Sequence, residues 1–95
     1  MTGRRVVDVV VHGEVQGVFF RDSCRAEAQR AGVAGWVRNE RDGTVRARFE
    51  GTREAVDGML AWVRHGPRQA RVDHVDVVDR TGDDDGVGHT GFAVR

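Results

Sequence analysis

The chain has 95 residues, and its fifteen basic residues balance fifteen acidic ones. That length suits one small domain, and the balanced charge argues against a general attraction to nucleic acid or anionic membranes. All the basic residues are arginine and tyrosine is absent, which excludes lysine Schiff-base chemistry and a phenolic acid. The single cysteine, Cys24, cannot form an internal disulfide and fits a reducing compartment.

An apolar run stands near the beginning of the chain, where residues 6–11 read Val-Val-Asp-Val-Val-Val. The run is too short for a signal peptide and far too short to span a bilayer. Valine favours strands, so the run predicts a strand. We therefore expect a soluble cytoplasmic domain.

The first half of the chain alternates between strand and helix patterns. Beyond the first strand, Cys24, Ala28 and Ala31 recur at helical spacing, with Phe20 extending the stripe. The pair Asp42-Gly43 predicts a hairpin turn. The elements predicted here are a loop over residues 13–21, a helix over about 22–31, and strands over 33–39 and 45–50.

The second half predicts a helix and two more strands. Thr52 is a suitable N-cap, and Gly66-Pro67 is a stop signal. Between them, apolar residues recur with the spacing of one helix face: Val56, Met59, Leu60 and Val63. Strands are predicted over residues 72–78 and Phe92–Val94. The acidic, glycine-rich stretch 81–91 between them, with Asp83, Asp84 and Asp85, is predicted to be a solvated loop.

The predicted order is βαββαβ followed by a terminal strand. This order indicates an α+β, ferredoxin-like two-layer sandwich, in which two helices pack on one face of a mostly antiparallel sheet. We expect a single domain over residues 1–95.

The loop over residues 13–21 reads Gly-Glu-Val-Gln-Gly-Val-Phe-Phe-Arg and has the features of an anion cradle. Glycines let backbone N–H groups turn inward, and the helix that follows presents unpaired N–H groups and the positive end of its dipole. Arg21 adds a guanidinium fork suited to a phosphate. Without further information, a tight strand-to-helix connection with a solvated Arg21 explains the loop equally well.

A second motif follows the loop, with Gly35-Trp36-Val37-Arg38-Asn39 and then Gly43, Val45 and Gly51. Together with the loop it resembles the signatures of the acylphosphatase family. The family's Gly-x-Val-Gln-Gly-Val-x-Phe-Arg signature is matched at Gly13, Val15, Gln16, Gly17, Val18, Phe20 and Arg21. Its Gly-aromatic-Val-basic-Asn run, with Gly-x-Val and a later Gly, is matched at Gly35, Trp36, Val37, Arg38, Asn39, Gly43, Val45 and Gly51. The resemblance covers nearly the whole chain and is loose only after Thr81.

The resemblance implies the ferredoxin-like fold and the hydrolysis of acyl phosphates, and it assigns the two catalytic roles to Arg21 and Asn39. Asn39 would orient the attacking water, since an amide is too weak to act as a general base. Arg21 and the loop N–H groups would hold the phosphoryl oxygens. The predicted substrate-binding residues are Val15, Gln16, Gly17, Val18, Phe19 and Phe20. For Gln16 we expect the backbone to matter more than the side chain.

No acidic or histidine side chain occupies a matched chemical position, although His12 and Glu14 lie at the edge of the loop. The remaining histidines show no metal-ligand spacing. Without an acid or a metal the leaving group departs unprotonated, which a carboxylate does readily and an alkoxide does not. The motifs therefore predict a small-molecule acyl phosphate substrate, no cofactor and no metal. Cys24 is predicted to be a small packing residue.

The main alternative is a non-catalytic ferredoxin-like module that binds an anion or a small ligand. A third possibility, RNA binding on the sheet, suits this fold in general. The balanced charge and the lack of paired exposed aromatics in a central strand argue against it. We expect a monomer that binds neither nucleic acid nor membranes.

Overall fold

The computed structural model describes residues 3–82 and 90–95. The elements of these residues, in chain order, are β1 (Arg4–Glu14), α1 (Phe20–Ala31), β2 (Ala34–Asn39), β3 (Val45–Thr52), α2 (Arg53–Val63), β4 (Arg71–Asp79) and β5 (Phe92–Val94). The predicted order βαββαβ with a terminal strand is confirmed. The predicted acidic loop at Asp83, Asp84 and Asp85 lies outside the described residues.

The strands form one sheet in the order β4-β1-β3-β2-β5. The first three neighbouring pairs are antiparallel, and β5 lies parallel to β2. Both β1 and β3 carry apolar residues at every second position, as expected for strands with one buried face. Val9, for example, lies opposite Ala47 of β3 and Val77 of β4. The mostly antiparallel sheet is therefore confirmed.

The core lies between this sheet and the two helices. Val7, Val9 and Val11 of β1 are buried, whereas Asp8 points to the opposite, open face of the sheet. The helices supply Phe20, Cys24 and Ala28 from α1 and Val56, Met59 and Val63 from α2. Every second residue of β1 from Val7 to Val11 is buried, as expected when both helices pack on the same face of the sheet.

Two predicted features of the helices, the apolar stripe of α1 and the N-cap of α2, can be compared with the structure. Ala31, predicted to extend the apolar stripe of α1, is exposed because it is the last residue of the helix, where the chain turns at Gly32. Thr52 caps α2 as predicted, with its side chain accepting a hydrogen bond from the Ala55 N–H at 3.2 Å. Neither helix is long and apolar enough to cross a membrane, within the residues described.

Candidate active site

The loop between β1 and α1 has an unusual backbone. Gly17 has a φ of 75°, and Phe19, the N-cap residue of α1, has a φ of 63°. Phe19 is the only non-glycine residue with positive φ in the described part of the chain. Left-handed residues in a short loop turn successive N–H groups toward one side, which makes an anion-binding concavity. The Phe19 side chain makes no capping hydrogen bond, so it does not compete for the first N–H groups of α1.

A cavity of about 300 Å³ opens at this loop. Its lining residues come from the loop, from the first turn of α1 and from the end of β2: Val15, Gly17, Phe19, Phe20, Arg21, Asp22 and Asn39. The fold therefore brings Arg21 and Asn39, which are eighteen positions apart in the sequence (39 − 21), to one cavity. Six of the eight residues predicted for the site lie on its lining.

Arg21 lies in the first turn of α1, because the helix begins at Phe20 rather than near Asp22. Its side chain is half-buried and forms no hydrogen bond or ion pair with any residue that the structure describes. Many other arginines are paired, as Arg48 is with Asp8. A guanidinium without a protein partner at a helix N-terminus is suited to bind an anion.

Asn39 is the last residue of β2 and lies on the same side of the strand as Gly35 and Val37. Its Oδ1 atom is buried and accepts no hydrogen bond from the described residues. Buried polar atoms are nearly always hydrogen-bonded, so such an exception points to a role at the site. Asn39 is also one of the residues that line the cavity.

Gln16 connects the loop to the turn that follows Asn39. Its Nε2 atom donates hydrogen bonds to the backbone oxygens of Glu40, at 2.7 Å, and Thr44, at 2.9 Å. The same Thr44 oxygen accepts the Glu40 N–H at 2.9 Å. The Gln16 side chain thus links the loop to the turn after Asn39, and the expectation that the Gln16 backbone matters more than its side chain stays a prediction.

The turn itself is braced by Asp42. Its Oδ1 accepts hydrogen bonds from the Thr44 N–H at 2.9 Å and the Thr44 hydroxyl at 2.6 Å, which lower the pKa of Asp42. Gly43 supplies the positive φ, at 92°, that the sequence predicted for this hairpin. The end of β2, and with it Asn39, is therefore held by a well-defined turn.

A model of the family described as acylphosphatase matches residues 7–94. The chain belongs to the acylphosphatase family. It is 52% identical over 89 residues to an acylphosphatase of Rubrobacter xylanophilus, covering 94% of this chain and 78% of that one. The family membership predicted from the two motifs is thus confirmed.

Solved acylphosphatase structures share the fold. The crystal structure of an acylphosphatase from Bacillus subtilis superposes with a TM-score of 0.88 at 31% identity, covering 96% of this chain and 98% of that one. An acylphosphatase from Coxiella burnetii gives a TM-score of 0.86 at 34% identity, covering 97% and 93%. The ferredoxin-like architecture predicted from the sequence is confirmed.

Two glycines of the acylphosphatase motifs are required by close backbone contacts. A Cβ at Gly13 would lie 2.1 Å from the Arg71 carbonyl oxygen, and one at Gly35 would lie 1.9 Å from the Arg48 carbonyl oxygen. Gly13 also sits where the pairing of β1 with β4 shifts register. These glycines let the strands approach one another beside the site, and both have positive φ.

The residues that line the cavity differ in part from those predicted from the acylphosphatase motifs. Gln16 and Val18 do not line the cavity; Val18 packs against the core. Asp22 does line it and was not predicted; its position directly after Arg21 at a helix start was the available signal. The Nε2 atom of His12 lies 2.9 Å from an Asp76 carboxylate oxygen. Burial raises the pKa of the Cys24 thiol, as expected for a packing residue.

Proposed function

We propose that the protein hydrolyses acyl phosphates to a carboxylate and inorganic phosphate. Water attacks phosphorus, and the bond between phosphorus and the acyl oxygen breaks with its electron pair leaving on the carboxylate. The observation that carries this is one cavity lined by Arg21, whose guanidinium has no partner among the described residues, and by Asn39, whose buried Oδ1 accepts no hydrogen bond from them. The relatives that bear the name acylphosphatase support the same activity.

The phosphoryl group is proposed to bind at the loop, which is then a phosphate-binding loop. Arg21 holds two of the three phosphoryl oxygens through its fork, and backbone N–H groups of residues 15–20 hold the third. These groups stabilise the charge on the equatorial oxygens as transfer proceeds, without rearranging. The αL conformation of Phe19 and the start of α1 direct donors to one side and so support this assignment.

The attacking water is proposed to donate a hydrogen bond to Asn39 Oδ1. An amide oxygen has no useful basicity, so Asn39 aims the water and does not deprotonate it. The water's proton passes to a phosphoryl oxygen during transfer. Gln16 positions this arrangement by holding the loop against the turn after Asn39.

The leaving group sets the substrate class. A carboxylate is stable at neutral pH and departs without a proton, so no general acid is needed. Among the described residues no group of three His, Cys, Asp or Glu side chains is placed to hold a metal ion. We propose further that residues 1–95 act as one domain and as a cytoplasmic monomer on a small-molecule substrate.

The test is hydrolysis of benzoyl phosphate in the presence of a chelator, compared with the spontaneous rate. The parent protein is expected to accelerate hydrolysis, and Asn39→Ala, purified in the same way, is the control for contaminating phosphatases. No acceleration by a folded parent would favour the non-catalytic anion-binding module.

A further inference from the structure

Phe19 is the most exposed large hydrophobic residue in the described part of the chain. Its relative exposure is 69%, against 48% for Val78 and 37% for Val77. The ring takes no part in the core and stacks on none of the described aromatic rings. Its backbone is nevertheless held in the left-handed region, which a non-glycine residue adopts at a cost. Packing within the described chain therefore gives no account of this ring.

The position of Phe19 on the lining of the cavity does explain why its ring is exposed. Among the apolar side chains of the lining, Val15 is 1% exposed and Phe20 is 2% exposed, so their surfaces are already buried in the core. Phe20 also packs on Trp62, with 5.3 Å between ring centroids. Phe19 is thus the apolar lining side chain with surface left for a bound molecule.

A bound acyl phosphate has two chemically different ends. The phosphoryl end matches Arg21 and the loop N–H groups, which leaves the acyl end to contact the remaining lining. An acetyl group presents one methyl, whereas a benzoyl group presents a flat ring that can stack on Phe19 in an offset or edge-to-face arrangement. We infer that the Phe19 ring is an acyl-group subsite, selecting aromatic acyl phosphates over small aliphatic ones; the inference rests on the proposed hydrolysis.

The test compares two substrates that share the phosphoryl group. Any damage to the phosphate cradle affects both equally, so the ratio of kcat/KM for benzoyl phosphate to that for acetyl phosphate isolates the acyl contact. Phe19→Asn removes the ring but tolerates the left-handed backbone. Phe19→Gly repeats the test with a residue that adopts positive φ freely. Phe19→Tyr is the matched control, because it keeps the ring.

The benzoyl-to-acetyl ratio is expected to fall about two- to tenfold in Phe19→Asn and Phe19→Gly, the worth of one aromatic contact. In Phe19→Tyr the ratio should stay within about twofold of the parent value. An unchanged ratio in both ring-less variants, or an equal loss on both substrates with weaker inhibition by inorganic phosphate, would overturn the subsite and leave Phe19 a role in loop conformation only. A folded parent that hydrolyses neither substrate would instead refute the proposed function, and the subsite with it.

Discussion

Arg21 and Asn39 line one cavity but carry different parts of the proposed reaction. Arg21→Lys keeps a positive charge and loses the planar fork, so both phosphate binding and kcat should fall. Asn39→Ala removes the group that aims water and should lower kcat roughly a hundredfold, or about 3 kcal/mol, while phosphate binding is nearly retained. Thermal melting with and without inorganic phosphate separates the two variants.

Phosphate should protect Asn39→Ala from heat as well as it protects the parent, and should protect Arg21→Lys poorly. Arg25→Lys, an exposed position on the same helix, is the matched control for the arginine substitution. The reverse pattern, or an Asn39→Ala variant with parental kcat, would contradict the division of roles.

At the scale of elements, Gln16 joins the β1–α1 loop to the β2–β3 turn through two hydrogen bonds to backbone oxygens. Gln16→Met keeps the length of the side chain and removes both donors, at about 0.5–1.5 kcal/mol per hydrogen bond. The melting temperature should fall. The kcat should fall more than KM rises, because the phosphate-binding loop and Asn39 are no longer held in their relative positions. Gln29→Met, on the exposed side of α1, is the control. A loss of stability with unchanged kcat would limit Gln16 to a structural role.

The strands are joined across the open face of the sheet by Asp8. Its carboxylate accepts hydrogen bonds from Arg48 Nε, at 2.7 Å, and Nη2, at 3.0 Å, and from Arg80 Nε at 3.2 Å. The hydrogen bonds from Arg48 are the largest of the effects that hold the pKa of Asp8 below its ordinary value of 3.8. The stabilisation is therefore fully present above pH 3.8 and is lost as the pH falls through the lower folded-state pKa.

Asp8→Asn should accordingly lower the free energy of unfolding most at neutral pH. The difference from the parent should shrink as the pH falls below 3.8, where the parent carboxylate takes up its proton. Urea unfolding at several pH values measures this. Asp73→Asn, an exposed substitution on β4, controls for the loss of a surface charge. A difference that is independent of pH would show that Asp8 stabilises the sheet through packing alone.

For the whole molecule, the proposed cradle predicts that inorganic phosphate stabilises the fold. A ligand that binds only the folded state at ten times its Kd adds about 1.4 kcal/mol to the free energy of unfolding. In a domain of this size that corresponds to a rise in Tm of roughly 5–10 °C. Phosphate should also inhibit hydrolysis competitively. Repeating the titration with Arg21→Lys separates binding at the site from a general salt effect, and an equal rise in both proteins would count against the site.

The elements and the family could be predicted from patterns local in the sequence. The alternation of Val45, Ala47 and Phe49 with charged residues predicted β3, and the spacing of Val56, Met59 and Val63 predicted α2, because strand and helix periods are local properties. The Asp42-Gly43 turn was readable for the same reason. The motifs with Arg21 and Asn39 identified the family, since their residues lie close together in the sequence.

How the elements meet depends on contacts between residues that are far apart in the chain. The two acceptors of Gln16 are backbone oxygens 24 and 28 positions away, and no local pattern encodes such a contact. The need for Gly35 arises from the carbonyl of Arg48 on a neighbouring strand, and the placement of β5 beside β2 likewise depends on long-range pairing. That Asn39 Oδ1 finds no partner among the described residues also depends on what the fold places around it. Each of these depends on distances between residues far apart in the chain, which side-chain periodicity does not specify.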